Sequence, residues 1–238
     1  MKSLFSLLII LSFIVLFSCK SGTDKSSGDA RTEAEGSEEV IAAEDAPAVS
    51  IYWGNLGLRD APEKDGKWLT SIKMGEKLTS LGITAMDSAN NTEYIKVRLM
   101  DDKEGWTQSN MVVVNAEAAV LVSDAEIYSR PDLLNKTDKK YSKMDVVAVI
   151  KSEGDWIEVK GKRGEGSWVE SGWIKSISIS YENYDIAVAL YTRMAMNEKE
   201  KSKKINALED IIQNQDLSKS ELIPEVIQIL NSVKSASE

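Results

Sequence analysis

Two stretches of this chain carry the same four short segments in the same order, and this repetition constrains the fold more than any other feature. In each stretch, a segment that ends in proline is followed by two strand-like segments and then by a Gly-Trp pair. Pro62 recurs as Pro131, 69 positions later, and Gly105 recurs as Gly172, 67 positions later. A repeat of this length predicts two copies of one small domain whose loop lengths differ slightly.

Within each copy, apolar and charged residues alternate along short runs, of which Tyr94–Leu99 and Trp156–Lys160 are the clearest. A period of two indicates a strand with one buried face and one solvent-facing side. Residues 101–105 and 161–166 are rich in Gly, Asp and other charged residues, and they predict hairpin turns. Short strands and tight turns in units of about 60 residues suit a small, partly open β-barrel, because closure limits the exposed edges of a sheet.

The four segments resemble, in tandem, the bacterial SH3-like (SH3b) domain. The pattern of that family is a Leu-Asn-Val-Arg-x-x-Pro-like turn, a Lys-Gly-x-x-Val segment, an aromatic-x-x-Val strand and a closing Gly-Trp-Val/Ile strand. The first copy matches it through Leu58–Pro62, Met74–Leu78, Tyr94–Val97 and Gly105–Thr107.

The second copy departs from the family pattern at two points. The segment Tyr128–Pro131 has a shorter Arg-to-Pro spacing, and Asp145 stands where the pattern has glycine, whereas Gly172–Ile174 matches the closing strand. The resemblance covers a little over half of the chain. It implies a peptidoglycan stem peptide or an envelope protein as the ligand.

The beginning of the chain has the features of an export signal. Lys2 supplies a positive charge, and Leu4–Phe17 form an apolar run that contains two serines. Two alternatives to a lipoprotein signal stay open. One is a plain secretory signal followed by a free cysteine, and the other is a transmembrane anchor, for which this run is short of the roughly 20 residues that a span needs.

The residues that follow the apolar run resemble a bacterial lipoprotein signal with a spirochaete-type lipobox. Leu16, Ser18 and Cys19 match the motif, whereas Phe17 stands where a small residue is usual. The resemblance implies that residues 1–18 are a signal peptide. It also implies that Cys19 carries two or three acyl chains, such as palmitate, which would anchor the protein to the inner or outer membrane of the cell envelope.

Residues 19–48 are predicted to form a disordered acidic tether. The segment lacks aromatic residues and is rich in Ser, Gly, Ala, Asp and Glu. Such a composition cannot bury enough apolar surface to offset the entropy lost on ordering. A flexible chain of this length has a root-mean-square span of about 30 Å. A specific acidic binding motif is the alternative interpretation.

The residue inventory excludes several classes of enzyme. The chain has no histidine and only one cysteine, so Ser-His-Asp hydrolases, Cys-His peptidases and zinc sites built on His or Cys are excluded. Carboxylate, Lys, Tyr and Ser-Lys chemistry stays open. The net charge of -9 disfavours nucleic acid as a partner. We therefore expect a non-catalytic protein without a cofactor or a metal.

Three constellations that resemble chemical motifs have simpler explanations. The Gly161–Gly166 segment lacks the Gly-Lys-Ser/Thr ending of a phosphate loop, and we interpret it as a turn. The acidic residues at 101–104 lack the twelve-residue spacing of a calcium loop. The chain has the carboxylates that glycoside cleavage needs, so this chemistry stays open, but the spacing of the carboxylates does not indicate a catalytic pair.

Residues 181–238 are predicted to form two or three helices in a hairpin or bundle. They contain no glycine and one proline, and their apolar residues recur at helical spacing. These stripe residues are Ile186, Leu190, Met194, Ile205, Leu208, Ile212, Ile223, Ile227, Leu230 and Val233. Ser220 is predicted to cap a helix whose first turn holds Glu221 and Pro224. Residues 198–204 are interpreted as a solvated helix face or a break. Three alternatives stay open for these apolar residues: packing on the second barrel, packing of the helices against one another, and binding of a partner. We expect packing of the helices against one another.

Eight aromatic residues are candidate ligand contacts at the rims of the two barrels. They are Tyr52, Trp53, Trp68 and Tyr94 in the first copy, and Tyr128, Tyr141, Trp156 and Trp168 in the second. Aromatic rings flanked by small polar residues suit peptide or glycan ligands. For each ring, packing is the competing explanation. Trp106 and Trp173, which follow glycine, are predicted to pack in the core or at the rim.

These patterns divide the chain into five parts. They are a signal peptide (1–18), a lipidated tether (19–48), SH3-like barrels at 49–116 and 117–180, and a helical unit (181–238). The predicted fold class is mainly β with α. The predicted function is non-catalytic binding of peptidoglycan peptides or an envelope protein. The membrane is a further predicted partner, through the lipid on Cys19. The alternative is a surface adhesin or assembly scaffold that binds a protein through its helices.

Overall fold

Fourteen β-strands precede three α-helices in the residues that the computed structural model describes, which are 45–54, 56–163 and 169–236. The prediction of a mainly β chain with helices at its C-terminal end is confirmed. The predicted signal peptide, Cys19 and Trp168 lie outside the described residues. So does the predicted tether, apart from its last residues.

The first seven strands form one antiparallel sheet. They are β1 (Ala46–Ser50), β2 (Leu56–Arg59), β3 (Trp68–Ile72), β4 (Lys77–Asp87), β5 (Thr92–Arg98), β6 (Glu104–Gln108) and β7 (Val112–Val114). Their order in the sheet is β3-β2-β6-β5-β4-β1-β7. Because β1 begins at Ala46, the last three residues of the predicted tether belong to this sheet, where Ala46 and Ala48 are buried.

The next seven strands form a second antiparallel sheet. They are β8 (Glu117–Leu121), β9 (Ala125–Tyr128), β10 (Lys136–Tyr141), β11 (Val146–Glu153), β12 (Trp156–Lys162), β13 (Val169–Lys175) and β14 (Ile179–Ser180). Their order is β10-β9-β13-β12-β11-β8-β14, which is the order of the first sheet with seven added to each strand number. The closure of each sheet into an SH3-like barrel stays a prediction.

Both predicted hairpin turns share residues with a neighbouring strand: Glu104 and Gly105 of the first belong to β6, and of the second, residues 164–166 lie outside the described part of the chain. Residues 99–103 join β5 to β6, and Asp102 has a positive φ of 62° in this turn. In the second hairpin, β12 extends to Lys162, so Gly161 belongs to a strand rather than to the turn as predicted. A Cβ atom at Gly161 would lie 2.8 Å from a side-chain carbon of Val147, and this close approach of β11 and β12 requires glycine.

Each sheet has a core of its own, formed by the inward-facing residue of each alternating pair. Leu58, Ile95 and Val97 belong to the core of the first sheet. Ile127 and Ile157 belong to the core of the second. The period of two in the sequence therefore corresponds to strands with one buried side, as predicted.

Three helices follow the second sheet: α1 (Asn183–Met196), α2 (Lys201–Gln213) and α3 (Ile223–Ser235). None of the helices in the described part of the chain is long and apolar enough to cross a bilayer. Residues 198–200 lie between α1 and α2, and residues 201–204 form the first turn of α2, so the charged run is part break and part solvent-facing helix.

A third core joins the helices to both sheets. It contains Val49 of β1, Val146 of β11, Ile186 of α1, Leu208 of α2 and Leu230 of α3. The apolar stripe of the helices is thus buried against the sheets and within the helical unit.

The buried face of the helices differs from the predicted stripe at individual positions. Ile211 and Val226 are buried, whereas Met194 and Ile227 are exposed. A helical period of 3.6 fits neighbouring positions almost equally well, so packing against the sheets decides which of them is buried.

A buried carboxylate fastens the start of α1 to the segment before α3. The carboxylate of Asp185 accepts hydrogen bonds from Ser180 Oγ (2.5 Å), Ser220 Oγ (2.6 Å) and the backbone N–H of Glu221 (3.0 Å). Ser220 was expected to cap α3, but that helix begins at Ile223. The expectation is wrong because Leu222 is the N-cap residue. The hydroxyl of Ser220 lies in the turn before the helix, where it donates to Asp185 and accepts from the N–H of Leu222 (3.1 Å). This network satisfies a carboxylate that would otherwise be costly to bury.

A candidate aromatic binding surface

One row of side chains crosses four strands of the second sheet. Tyr128 of β9 lies opposite Trp173 of β13, Trp173 lies opposite Glu158 of β12, and Glu158 lies opposite Lys151 of β11. Directly opposed residues in antiparallel strands project from the same face of a sheet. The row therefore places two aromatic rings and two charged groups side by side.

This row lies on the outer face of the sheet. The neighbours of its members in sequence are Ile127, Ile157 and Ile174, and all three are buried in the core of the second sheet. Because successive side chains of a strand point to opposite faces, the row points away from that core.

Trp156 extends the row into a cluster. It precedes Glu158 by two positions on β12, so it projects from the same face. Its ring meets the ring of Tyr128 edge to face, with 4.8 Å between the ring centroids and an angle of 79° between the planes. Lys175 lies opposite Trp156 across the strands, and its Nζ is 3.8 Å from the centroid of the indole ring. Both contacts have favourable geometry for aromatic and cation–π interactions.

A second lysine covers the other tryptophan. Nζ of Lys151 lies 5.4 Å from the ring centroid of Trp173, which is 9% exposed. We name Tyr128, Trp156, Trp173, Lys151 and Lys175 the aromatic patch. Tyr128 and Trp156 are half-buried, so their rings keep accessible area for a ligand.

Charges of both signs border the aromatic patch. Glu153 lies opposite Trp156, and Glu158 lies between Trp173 and Lys151. Nζ of Lys151 is 3.5 Å from Oε2 of Glu153. Apolar ring area beside paired acidic and basic groups suits a ligand that itself carries amino and carboxyl groups. A peptide has this character, whereas a neutral glycan does not.

Two of the predicted rim residues are in fact buried. Tyr94 is 2% exposed and Tyr141 is 0% exposed, so neither ring is available to a ligand. The hydroxyl of Tyr141 donates to the carbonyl oxygen of Glu170 at 2.8 Å. Burial, followed by the neighbouring Glu170 carboxylate, raises the pKa of this phenol. The predictions for Tyr94 and Tyr141 are wrong because packing by distant segments, which alternation does not report, covers both rings.

Three further predicted rim residues lie away from the aromatic patch. Trp68 is 45% exposed on β3 of the first sheet, with Cζ of Arg59 5.4 Å from its ring centroid. Tyr52 is exposed in the segment after β1. Trp53 stacks against Arg193 of α1 rather than lying at a rim, and Cζ of Arg193 is 3.3 Å from its ring centroid.

The structure thus brings Tyr128 and Trp156 together among the predicted residues that it describes, and it adds Trp173. The sequence predicted Trp173 only as a packing residue. Its place in the patch depends on the register of β9 against β13, and the sequence pattern carries no signal for that register. Among the described residues, no group of three or more His, Cys, Asp or Glu side chains is placed to hold a metal ion.

Comparisons with known proteins give only remote likenesses. No protein-family model and no curated protein matches the chain. Among solved structures, NlpC2 from Trichomonas vaginalis is 10% identical with a TM-score of 0.25, over 70% of this chain and 56% of that one. NlpC1 from Trichomonas vaginalis is 11% identical with a TM-score of 0.24, over 68% of this chain and 55% of that one. The endolysin LysPBC5 CBD is 15% identical with a TM-score of 0.23, over 58% of this chain and 93% of that one.

This chain spans about half the length of the two Trichomonas proteins. Likeness at this level identifies no function for the chain.

Proposed function

We propose that this protein is a non-catalytic, lipid-anchored component of the cell envelope that binds the stem peptides of peptidoglycan. The observation that carries the proposal is the aromatic patch, in which Trp156 and Tyr128 meet edge to face beneath Lys175. The ring faces contact the aliphatic parts of a peptide. The lysines and the neighbouring glutamates pair with its carboxylate and amino groups.

The lipid anchor complements a weak binding site. A lipid on Cys19 holds the protein at a membrane, and the acidic tether lets the folded part reach the cell wall. Confinement next to a polymeric ligand raises the effective concentration of the binding surface, so a low affinity for each peptide is sufficient. Two acyl chains or more are needed for a stable anchor.

Co-sedimentation with purified sacculi tests the proposal. The chain from residue 20 onwards, which keeps every described residue, is titrated with sacculi and the bound fraction is measured. Trp156→Ala should weaken binding about tenfold or more, since aromatic anchors dominate interfaces of this kind. Trp68→Ala is the matched control, because it removes an exposed tryptophan from the first sheet, and it should leave binding unchanged.

Sacculi stripped of their stem peptides by an amidase separate the peptide from the glycan as the ligand. Binding to intact but not to stripped sacculi supports the proposal. Equal binding to both contradicts peptide recognition, and absence of binding to either moves the search to an envelope protein as the ligand. Incubation with sacculi should release no soluble fragments, because we propose binding without cleavage.

The alternative of an adhesin that uses its C-terminal helices gains no support from the packing. The buried residues of the helical stripe, such as Leu208 and Leu230, already belong to the core shared with the sheets. A partner would have to bind the opposite faces of the helices, which expose polar residues beside Tyr191, Met194 and Ile227.

A further inference from the structure

The described strands leave four sheet edges, and three of them are protected against pairing. The edges are β3 and β7 in the first sheet, and β10 and β14 in the second. β7 has three residues and β14 has two, which is too short to hold a further strand. β10 carries three lysines and an aspartate. Short strands and charged side chains, lysine above all, are the usual protection of a sheet edge.

The fourth edge, β3, lacks this protection. Its sequence, Trp-Leu-Thr-Ser-Ile, has no charged residue, and the side chains of Trp68, Leu69 and Ser71 are exposed. No backbone hydrogen bond joins residues 68–72 to a described segment other than β2. The N–H and C=O groups on the other side of β3 are therefore available to a further strand.

A helix flanks this edge across a groove. The groove is a cavity of about 460 Å³ between residues 71–74 and one face of α1, and we name it the β3 groove. Ser71 and Ile72 both border it, although successive side chains of a strand point to opposite faces, so the groove lies beside the strand rather than over one face. The other wall consists of α1 residues at helical spacing, namely Ala187, Leu190, Tyr191 and Met194.

The edge and the groove together have the two parts of a strand-addition site. A peptide that adds to a sheet edge gains affinity from backbone hydrogen bonds and specificity from pockets that hold alternate side chains. β3 offers the backbone groups, and the β3 groove offers the pocket. Tyr191 is 47% exposed and Met194 is 59% exposed, so this wall of the pocket is open to a ligand. Methionine adapts its shape to aliphatic side chains of different outline.

The charges of the β3 groove favour a ligand with a carboxylate. Lys73 and Arg193 line it, and no carboxylate does among the described residues. Asp145 acts on Arg193 from outside this lining, and Glu76 accepts a hydrogen bond from the backbone N–H of Lys73 at 2.7 Å. The side chain of Lys73 is exposed, so its ammonium group can reach a carboxylate at the end of β3. In a chain with a net charge of -9, such a lining selects for acidic ligands.

We propose that the edge of β3 and the β3 groove bind an extended segment of a partner protein, in which aliphatic residues alternate with small polar ones and an acidic residue follows. The segment adds to the first sheet through backbone hydrogen bonds to β3. One of its aliphatic side chains enters the β3 groove against Leu190 and Met194, and its carboxylate pairs with Lys73. The site lies apart from the aromatic patch and does not rest on the proposed function. Because β3 supplies the main contacts, it also differs from the adhesin alternative.

A second copy of this chain is a poorer occupant of the same edge. Antiparallel pairing of β3 with itself, centred on Thr70, would place Lys67 of one copy opposite Lys73 of the other. Like charges directly opposite each other destabilise a pair of strands. An acidic segment meets no such repulsion from Lys73.

Peptides with selectively methylated backbones test strand addition. The probe is acetyl-Thr-Val-Ser-Val-Ser-Glu-amide, and the protein is the chain from residue 20 onwards. Two further peptides carry N-methyl groups at alternate positions, one at the odd and one at the even positions. An added strand donates to its neighbour through alternate N–H groups only. One methylated peptide should therefore lose binding while the other keeps it, and amide exchange at residues 69–72 should slow when the probe binds.

Four results would overturn the proposal. Equal binding of both methylated peptides contradicts strand addition, and the absence of binding by all three peptides contradicts the site. Binding that leaves amide exchange at residues 69–72 unchanged places the probe elsewhere. A dimer in sedimentation velocity, with slow exchange at residues 69–72 before any peptide is added, assigns the edge to a second copy.

A charge exchange separates recognition from folding. Lys73→Glu should weaken the probe about tenfold, because like charges at an interface repel, and a peptide that ends in Lys instead of Glu should regain the affinity. A merely structural role of Lys73 would not reverse this preference. If folded Lys73→Glu still preferred the probe that ends in Glu, carboxylate recognition would be wrong.

A second substitution tests the helical wall of the β3 groove. Met194→Glu places a carboxylate beside the bound segment and should weaken the probe about tenfold. Met86→Glu is the matched control, because Met86 is an exposed methionine of β4 that does not line the groove, and it should leave the affinity unchanged. Equal affinities of the two variants would show that the probe does not bind between β3 and α1.

Discussion

The two sheets share one strand order but present different side chains at equivalent positions of their outer faces. In the first sheet, Trp106 lies between Arg59 and Lys96. In the second sheet, Trp173 lies between Tyr128 and Glu158. The central tryptophan is common to both rows, whereas its neighbours are two cations in one row and an aromatic ring with a carboxylate in the other. A repeated topology therefore does not repeat a binding surface.

The difference continues along the next strand. Tyr94 of β5 and Trp156 of β12 occupy corresponding places in the two copies, but Tyr94 is buried and Trp156 is half-buried beside Tyr128. In the first copy, the segment after β1 instead contributes Trp53, which stacks with Arg193 of α1. Inward-facing residues maintain the common fold, and outward-facing residues are free to diverge because they do not form the core.

The prediction with the largest expected effect concerns the buried cores that the two sheets have in common. Leu58 and Ile127 occupy equivalent buried positions, each directly before the first member of its outer row. Leu58→Ala and Ile127→Ala should each lower the free energy of unfolding by about 2–5 kcal/mol, through lost burial and the cavity left behind. Denaturant titration measures both losses. A cost below about 1 kcal/mol for one of them would show that the two cores are not equivalent.

The second prediction concerns the glycine before each central tryptophan. A Cβ atom at Gly105 would lie 2.6 Å from the carbonyl oxygen of Arg59, whereas at Gly172 the nearest backbone oxygen, that of Tyr128, would be 3.1 Å away. Both Gly→Ala substitutions should destabilise the fold by about 1–3 kcal/mol. Gly105→Ala should cost more, because a backbone oxygen yields less readily than the Ile127 side chain that faces Gly172. Equal thermal shifts for the two variants would contradict this ranking.

The third prediction concerns substitutions that make the outer row of one sheet resemble the outer row of the other. Tyr128→Arg gives the second sheet the cation that the first sheet has at Arg59. The variant loses the edge-to-face contact with Trp156, so it should lose about 0.5–1.5 kcal/mol of stability and bind sacculi more weakly. The reciprocal Arg59→Tyr should create no binding, because the first sheet lacks an accessible counterpart of Trp156. If Tyr128→Arg kept its binding to sacculi, the difference between the two outer rows would not explain binding.

The prediction with the smallest expected effect concerns pH dependence. It compares the hairpin that joins β4 to β5 with the hairpin that joins β11 to β12. In the first hairpin, Asp87 accepts hydrogen bonds from the side chain of Asn90 (2.8 Å) and from backbone N–H groups, which hold its pKa below the ordinary 3.8. The second hairpin turns at Gly154, with a φ of 58°. A carboxyl whose pKa is lower in the folded state stabilises that state above its ordinary pKa, and the contribution is lost as the pH falls through the folded value.

Asp87→Ala should therefore destabilise the protein at pH 6 but have little effect at pH 2. Amide exchange in the hairpin between β4 and β5 should quicken on acidification, while exchange in the hairpin at Gly154 stays as it is. If acidification changed amide exchange equally in both hairpins, Asp87 would not be the cause of the pH dependence.

The sequence by itself determined the local elements of this protein. The alternation along Tyr94–Leu99 and Trp156–Lys160 predicted β5 and β12. The helical spacing after residue 181 predicted two or three helices, and the described residues form three. These predictions succeeded because strand and helix periods are properties of neighbouring residues. Where neighbouring residues do not decide, as with Ser220, the prediction was wrong: α3 begins at Ile223, and the hydroxyl of Ser220 donates to the distant carboxylate of Asp185.

Only the tertiary structure decided which aromatic rings reach solvent. Tyr94 and Trp156 each begin a run of aromatic, Ile, charged residue and Val, yet Tyr94 is buried and Trp156 is half-buried beside Tyr128. Trp173 joined the aromatic patch because β9 and β13 pair in one register, and Trp53 met Arg193 because α1 docks on the sheets. These contacts join residues far apart in the chain. Their geometry follows from the packing of whole elements, which no local pattern encodes.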